Sequence, residues 1–383
     1  MAVVYFFMYG AVGALAPYLT LYYRSVGLSG SEISILVAVQ PILLLVAQPI
    51  FGPLTDRSGH RGRMLSWLFL VVAATGGLMG FGHSFWTLLP LAGLWSFFVG
   101  LLLPIADSIA LGEVARTGVS YPRLRLWGSI GFLLVSTATG QPYGMAGLRA
   151  AFPLYAFLQV VSWFCARRLP ADDGASARRN VLPALKALLQ NRVLAAFLLT
   201  TTVLFVTLSA HSAFFTVHLA SIGGTSLVIG IAWAFAAFVE IFVWLVLSQV
   251  MRRIGYLPLL TLAAFGYALR WWLTGSVVSP WAMVGVQMTQ MVTWAILWPT
   301  AVAFVGEVAP PELRTSAQSL LSLATFGVAT LVGSLMAGRM VDQIGTVGMY
   351  GTITWIAVAA GLLFAALTVT VAVKHRGRAA AQS

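Results

Sequence analysis

Twelve apolar stretches, each about long enough to cross a bilayer, take up most of this 383-residue chain. About 20 apolar residues span the hydrocarbon core as a helix, and a helix satisfies all its backbone N–H and C=O groups internally where no water can. The spacing predicts helices over 2–23, 31–54, 64–82, 84–112, 123–140, 149–168, 193–218, 226–250, 256–274, 279–305, 315–338 and 347–373. Hydrophobic residues make up 60% of the chain and charged residues 8%, against roughly a quarter charged in soluble domains. Such a chain cannot coat a water-facing surface. The expected fold class is an all-α polytopic membrane protein.

The two halves echo each other. Thr20, Ser25 and Gly27 recur as Thr216, Ser221 and Gly223, each 196 positions later; Gly59 recurs as Gly255 at the same offset and Pro104 as Pro299 at 195. This pattern implies a duplicated six-helix unit. Six is even, so both copies insert the same way up, as parallel repeats about an axis normal to the membrane. The expected organisation is a six-helix bundle over 1–168, a linker over 169–192 carrying Asp172, Asp173, Arg178 and Arg179, and a second six-helix bundle over 193–383.

A net charge of +12 would suggest nucleic acid in a soluble protein. Here the bases mark orientation. Of the 22 Lys and Arg, all but Arg24, Arg149, Arg270 and Arg339 fall on one set of alternate loops, which predicts that side, both termini included, to be cytoplasmic. Met1 opens almost directly into an apolar stretch without a basic region or small-residue cleavage site, so the first helix reads as retained. The single Cys165 allows no disulfide framework. The five His are scattered, and neither a metal-spaced cluster, a nucleophile motif nor a Walker loop appears; no metal, cofactor or direct use of ATP is expected.

The turn from Gly52 to Arg63 is the most specific local signal. Gly52 permits close helix approach, Gly59 a sharp reversal, and Asp56 with Arg57, Arg61 and Arg63 forms a charge cluster at the membrane surface. It resembles the signature between the second and third helices of the major facilitator superfamily. That resemblance implies that Asp56 sits against the N-terminal end of the eleventh helix and helps latch the cytoplasmic side. A surface turn with one ion pair is the plainer reading of the same residues. The second-half echo has Arg252 in place of the acid, so only the first copy should carry a latch.

Charges inside apolar helices cost several kcal/mol unless paired or wetted. Asp107, Arg125, Glu240 and Arg270 qualify, with His211 as a further titratable position. Glu240 lies about 18 Å from the surface marked by Arg252, and Arg270 about 21 Å beyond Tyr256, so the two are expected to meet. A buried pair that only fixes packing remains open.

Four segments resemble one branch of the superfamily, that of lactose permease, the nucleoside:proton symporters and the phenylpropionate permease-like proteins. They run from Leu103 to Ala110, Arg123 to Phe132, Tyr267 to Trp272 and Val308 to Gln318. The resemblance implies that Asp107 and Arg125 grip the substrate and that Arg270 assists proton release. It puts Phe132 where lactose permease has its sugar-stacking Trp. The tenth predicted helix departs from the branch: it has no titratable side chain, only Gln287 and Gln290 sharing a face, which can bind a substrate but carry no proton. Glu240 is then the expected proton carrier. Tyr18, Tyr22, Phe132, Trp294 and Trp298 are candidates for stacking on a substrate, and glycines such as Gly76, Gly77, Gly80 and Gly333 are expected at helix contacts.

The resulting expectation is a monomeric secondary transporter with twelve transmembrane helices in the bacterial cytoplasmic membrane. It would move a small organic solute together with protons by alternating access. Proton-driven efflux of lipophilic compounds is the alternative, and a membrane-embedded enzyme a more distant one.

Overall fold

The computed structural model describes residues 1–43, 61–119, 121–167, 169, 188, 190–310 and 313–380, and all its regular structure there is helical. The segments are α1 (Ala2–Ser25), α2 (Gly30–Leu43), α3 (Arg61–Leu78), α4 (Phe85–Thr117), α5 (Tyr121–Ala146) and α6 (Ala151–Ala166). They continue as α7 (Arg192–Ser221), α8 (Ser226–Ile254), α9 (Tyr256–Ser276), α10 (Pro280–Val286), α11 (Trp294–Val308), α12 (Arg314–Ser322) and α13 (Thr330–Ala380). Among the described residues, eight helical stretches are long and apolar enough to cross a bilayer; α2 is a shorter apolar helix. The protein is an integral, multi-pass membrane protein.

Two of the predicted helices differ in detail. The span Pro280–Val308 is broken: α10 gives way to a 3-10 turn over Gln287–Met291, and Thr293 leaves helical geometry at φ −104°, ψ −98° before α11 starts. Downstream, α12 runs through a π-helical stretch, Leu323–Ala329, into α13, which breaks at Gly345 (φ 71°, ψ 176°). Only glycine adopts that φ without strain. Helix ends elsewhere follow local chemistry. Ser84 and Thr87 form a capping box at the start of α4, and Gly118 closes it in the left-handed region at φ 72°.

The repeated residues build the same cap twice. Ser25 Oγ donates to the Tyr22 carbonyl and Ser221 Oγ to the His218 carbonyl, both at 2.7 Å. Gly27 and Gly223 follow at φ 89° and 91°. The Leu28 N–H then reaches back to the Tyr23 carbonyl at 3.2 Å, and the Gly224 N–H to Leu219 at 2.8 Å. Each is a Schellman-type closure that ends one helix and admits the next.

The chain divides into two compact units. The first comprises Met1–Ala177, Ala213–Ala237 and Ser279–Val284; the second, Arg178–Ser212, Phe238–Val278 and Gly285–Ser383. In the first unit α1 packs on α5 and α6, and α3 on α4 and α6. The α1–α5 contact is a double glycine seam: a Cβ on Gly13 would lie 2.7 Å from the Phe132 carbonyl oxygen, one on Gly128 2.7 Å from the Tyr9 ring, and one on Gly131 would run into the Phe6 carbonyl. With no hydrophobic drive between helices in lipid, such close approach supplies the packing. In the second unit α9 packs on α13 and α11.

Candidate functional site

Within the first unit, α1 presents Tyr5 and Tyr9 one turn apart on one face. Tyr5 is fully buried, and its hydroxyl donates to Asp107 Oδ1 of α4 at 2.5 Å, a short charge-assisted bond. The Arg125 guanidinium of α5 lies 4.4 Å from the Tyr9 ring centroid and 5.7 Å from that of Tyr5. Arg125 Nη1 is shut off from solvent and has no hydrogen-bond partner. Asp107 and Arg125 make no direct ion pair. The phenol of Tyr5 stands between them, holding the acid by a hydrogen bond and the base by its ring face.

Within the second unit the arrangement has the same logic with different residues. Arg270 is 4% exposed and sits on α9 opposite the break after α10. Its Nη2 donates to Gln287 Oε1 at 2.6 Å and its Nη1 to Thr293 Oγ1 at 3.1 Å and to Gln290 Oε1. Gln290 Nε2 in turn donates to Glu240 Oε1 of α8 at 2.5 Å. The expected direct Glu240–Arg270 pair is therefore corrected: the Gln290 amide lies between acid and base, accepting from one and donating to the other. The 3-10 turn explains how. At three residues per turn Gln287 and Gln290 eclipse, so both amides face Arg270.

A tight aromatic cluster backs this network. His211 is buried, its Nδ1 3.0 Å from the Tyr350 hydroxyl and its ring 4.4 Å from that of Trp271. Trp271 Nε1 donates to Thr207 Oγ1 at 2.9 Å, and Arg270 lies 5.5 Å from the Trp271 ring. His211 thus packs against Trp271, the residue next to Arg270. Trp294 and Trp298 stack in parallel at 6.1 Å beside Phe205, both half-buried.

Other predicted positions are placed differently. Tyr18 is fully buried, donating to the backbone carbonyls of Ser136 at 3.1 Å and Ser226 at 3.3 Å. Tyr22 donates to the Gly82 carbonyl at 2.7 Å with its ring edge-on to Phe152. Both phenols are committed to helix packing here, which corrects the expectation that they stack on a substrate. Phe132 is half-buried on the α5 face whose backbone abuts Gly13. The latch residues Gly52, Asp56, Arg57 and Gly59 lie outside the described residues, and of Arg61 only its place at the start of α3 is described. Sequence reasoning missed Tyr5, Tyr9, Thr293 and Trp271. The four-residue spacing of Tyr5 and Tyr9 was a usable signal; Thr293 had none, since its role depends on a helix break.

Among the described residues, no group of three or more His, Cys, Asp or Glu side chains is placed to hold a metal ion. The arrangement offers polar grips and a titratable carboxylate inside an apolar interior, which suits binding and release of a solute.

Comparison with known proteins agrees. The model of the MFS_1-like family matches residues 1–352. The maltose permease of Geobacillus stearothermophilus is 28% identical over 356 residues, covering 91% of this chain and 89% of its own. An Escherichia coli protein described as "Probable 3-phenylpropionic acid transporter" is 23% identical over 349 residues, 89% of each chain. Among solved structures, the nucleoside transporter NupG superposes with a TM-score of 0.80 at 17% identity, covering 96% of this chain and 97% of that one.

Proposed function

This chain belongs to the MFS_1-like family and is a transporter of the major facilitator superfamily, and on that premise we propose that it moves a small organic solute together with protons by alternating access. One observation carries the reading: in each unit a carboxylate and a guanidinium lie within the apolar interior without touching, bridged by a neutral polar side chain. A pair that served only packing gains most from direct contact, because desolvated charges need each other. A bridged pair keeps capacity in reserve. Arg125 Nη1 has an N–H unspent for a solute oxygen, and the Glu240 carboxylate can take a proton without losing an ion pair.

Asp107, Arg125 and Phe132 are assigned to the solute, as are Gln287, Gln290 and Trp294 of the second unit. Glu240 carries the proton and Arg270 balances its charge. The names of the relatives span maltose, a phenylpropionic acid and nucleosides, all small organic solutes. The full arrangement we propose is twelve membrane crossings in bundles over 1–168 and 193–383 joined by a linker over 169–192. In it the stretch through α12 and α13 makes two crossings that turn at Gly345, and α5 and the segment containing α2 cross as well. Both termini face the cytoplasm of a bacterial cell.

The test is solute uptake into liposomes driven by a proton gradient, measured beside gradient-free exchange. Glu240→Gln should keep exchange and lose uphill accumulation, since a permanently neutral side chain cycles without carrying a proton. Undiminished accumulation by that variant would move the proton site elsewhere, and proton-driven extrusion by the wild type would replace uptake with efflux.

A further inference from the structure

The end of the first unit where α3 stops and α6 begins holds a cavity that plays no part in the solute site. It has a volume of about 610 Å³ and is lined on the α3 side by Ala73, Ala74, Gly77, Leu78, Gly80 and Phe81. Phe152 and Pro153 of α6 form the other wall, and His83 and Arg149 stand at one end. We propose that this groove binds one acyl chain of an anionic phospholipid, with the headgroup phosphate held by Arg149 and His83.

The walls are apolar and open to the outside: Leu78 is 48% exposed and Phe81 76%. The small side chains at 73, 74, 77 and 80 hollow out the α3 surface, while Phe152 closes the floor, 3.0 Å from where a Cβ on Gly80 would lie. From Ala73 to Phe81 the helix rises about 12 Å, close to the roughly 15 Å depth of one leaflet's hydrocarbon. The groove is therefore about as long as the part of a lipid tail that lies beside it.

The polar end has the complementary charge. Arg149 Nη2 lies 2.8 Å from His83 Nδ1. Arginine can only donate, so Nδ1 accepts and the neutral imidazole carries its proton on Nε2. That leaves as donors the His83 Nε2–H and the guanidinium N–H groups of Arg149 not engaged with His83 or the Tyr22 hydroxyl. They are anchored where α3 ends at the 3-10 turn Met79–Phe81 and α6 is entered through Leu148–Ala150, the level at which an apolar helix leaves the membrane. Basic pockets between membrane helices bind lipid phosphates in this way. An anion without a tail would leave the apolar groove unused, and a zwitterionic lipid would bring, beside the same phosphate, a quaternary cation that no acidic lining residue meets, so the two halves together favour an anionic lipid.

The experiment titrates delipidated, full-length protein with phosphatidylglycerol and with phosphatidylcholine, counting bound lipids by native mass spectrometry. Phosphatidylglycerol should occupy one site at least about fivefold more tightly, the scale of one basic residue at a membrane surface. Arg149→Gln and His83→Gln should each weaken it by about fivefold, while Arg149→Lys keeps most of it. Ala74→Phe, on an exposed position, should fill the groove and abolish binding with both basic residues in place; Ala74→Leu serves if the larger side chain prevents folding. Millimolar inorganic phosphate should not compete. Equal retention of the two lipids by all variants would overturn the proposal in favour of a nonselective annulus. Phosphate competition together with tolerance of the Ala74 variants would overturn it in favour of a plain anion site.

Discussion

Tyr5 sets the geometry of the acid and base beside it. Its hydroxyl holds Asp107 at 2.5 Å while its ring lies under Arg125, so the two charges are kept near and apart at once. Removing the hydroxyl lets Asp107 close onto Arg125 as a direct pair that a solute must then break. Tyr5→Phe should therefore raise KM for uptake by about tenfold, the scale of one hydrogen bond to a charged group, with expression unchanged. An unaltered KM would show the hydroxyl to be a packing detail. Asp107→Asn should abolish transport while leaving the protein folded, because the amide still accepts from Tyr5 but brings no charge. Normal transport by that variant would remove Asp107 from the solute site. Both charged positions were legible in the sequence as rare ionisable residues in apolar helices; the residues that separate them were not, because Tyr5 and Gln290 are uncharged and unremarkable among many polar and aromatic neighbours.

At the scale of elements, helix positions were readable from apolar length, and breaks were not. The α1–α5 seam depends on glycine at Gly13, Gly128 and Gly131, where any Cβ meets backbone or the Tyr9 ring. Gly131→Val should destabilise the first unit by about 1–3 kcal/mol, as expected for overpacking against atoms that cannot move aside. A thermal melt of the purified protein checks this, with Gly144→Ala as the control: Gly144 is in the same helix and has open space around it. If both variants melt alike, the seam does not carry the packing assigned to it. The break after α10 is a different matter. The stretch from Val286 to Trp298 contains neither glycine nor proline. At the break Gln287, Gln290 and Thr293 converge on Arg270, whose two Nη groups they accept from.

For the molecule as a whole, the basic residues predict orientation. A fluorescent-protein fusion at the C-terminus should fluoresce and an alkaline phosphatase fusion at the same point should be inactive, as both require for a cytoplasmic end; the reverse pattern would invert the proposed topology. The internal repeat is expressed in the structure as twin helix caps at Gly27 and Gly223, which the 196-residue offset anticipated.

Length, hydropathy and charge determined by themselves that this chain lives in a membrane and which few residues carry charge where charge is expensive. These are properties of composition and periodicity, and the bilayer imposes them one helix at a time. The tertiary structure alone decided what each charge touches. Asp107 and Tyr5 are 102 positions apart and Glu240 and Gln290 are 50 apart, and at such separations the partner is chosen by how helices pack, at a register set by glycine contacts and one broken turn.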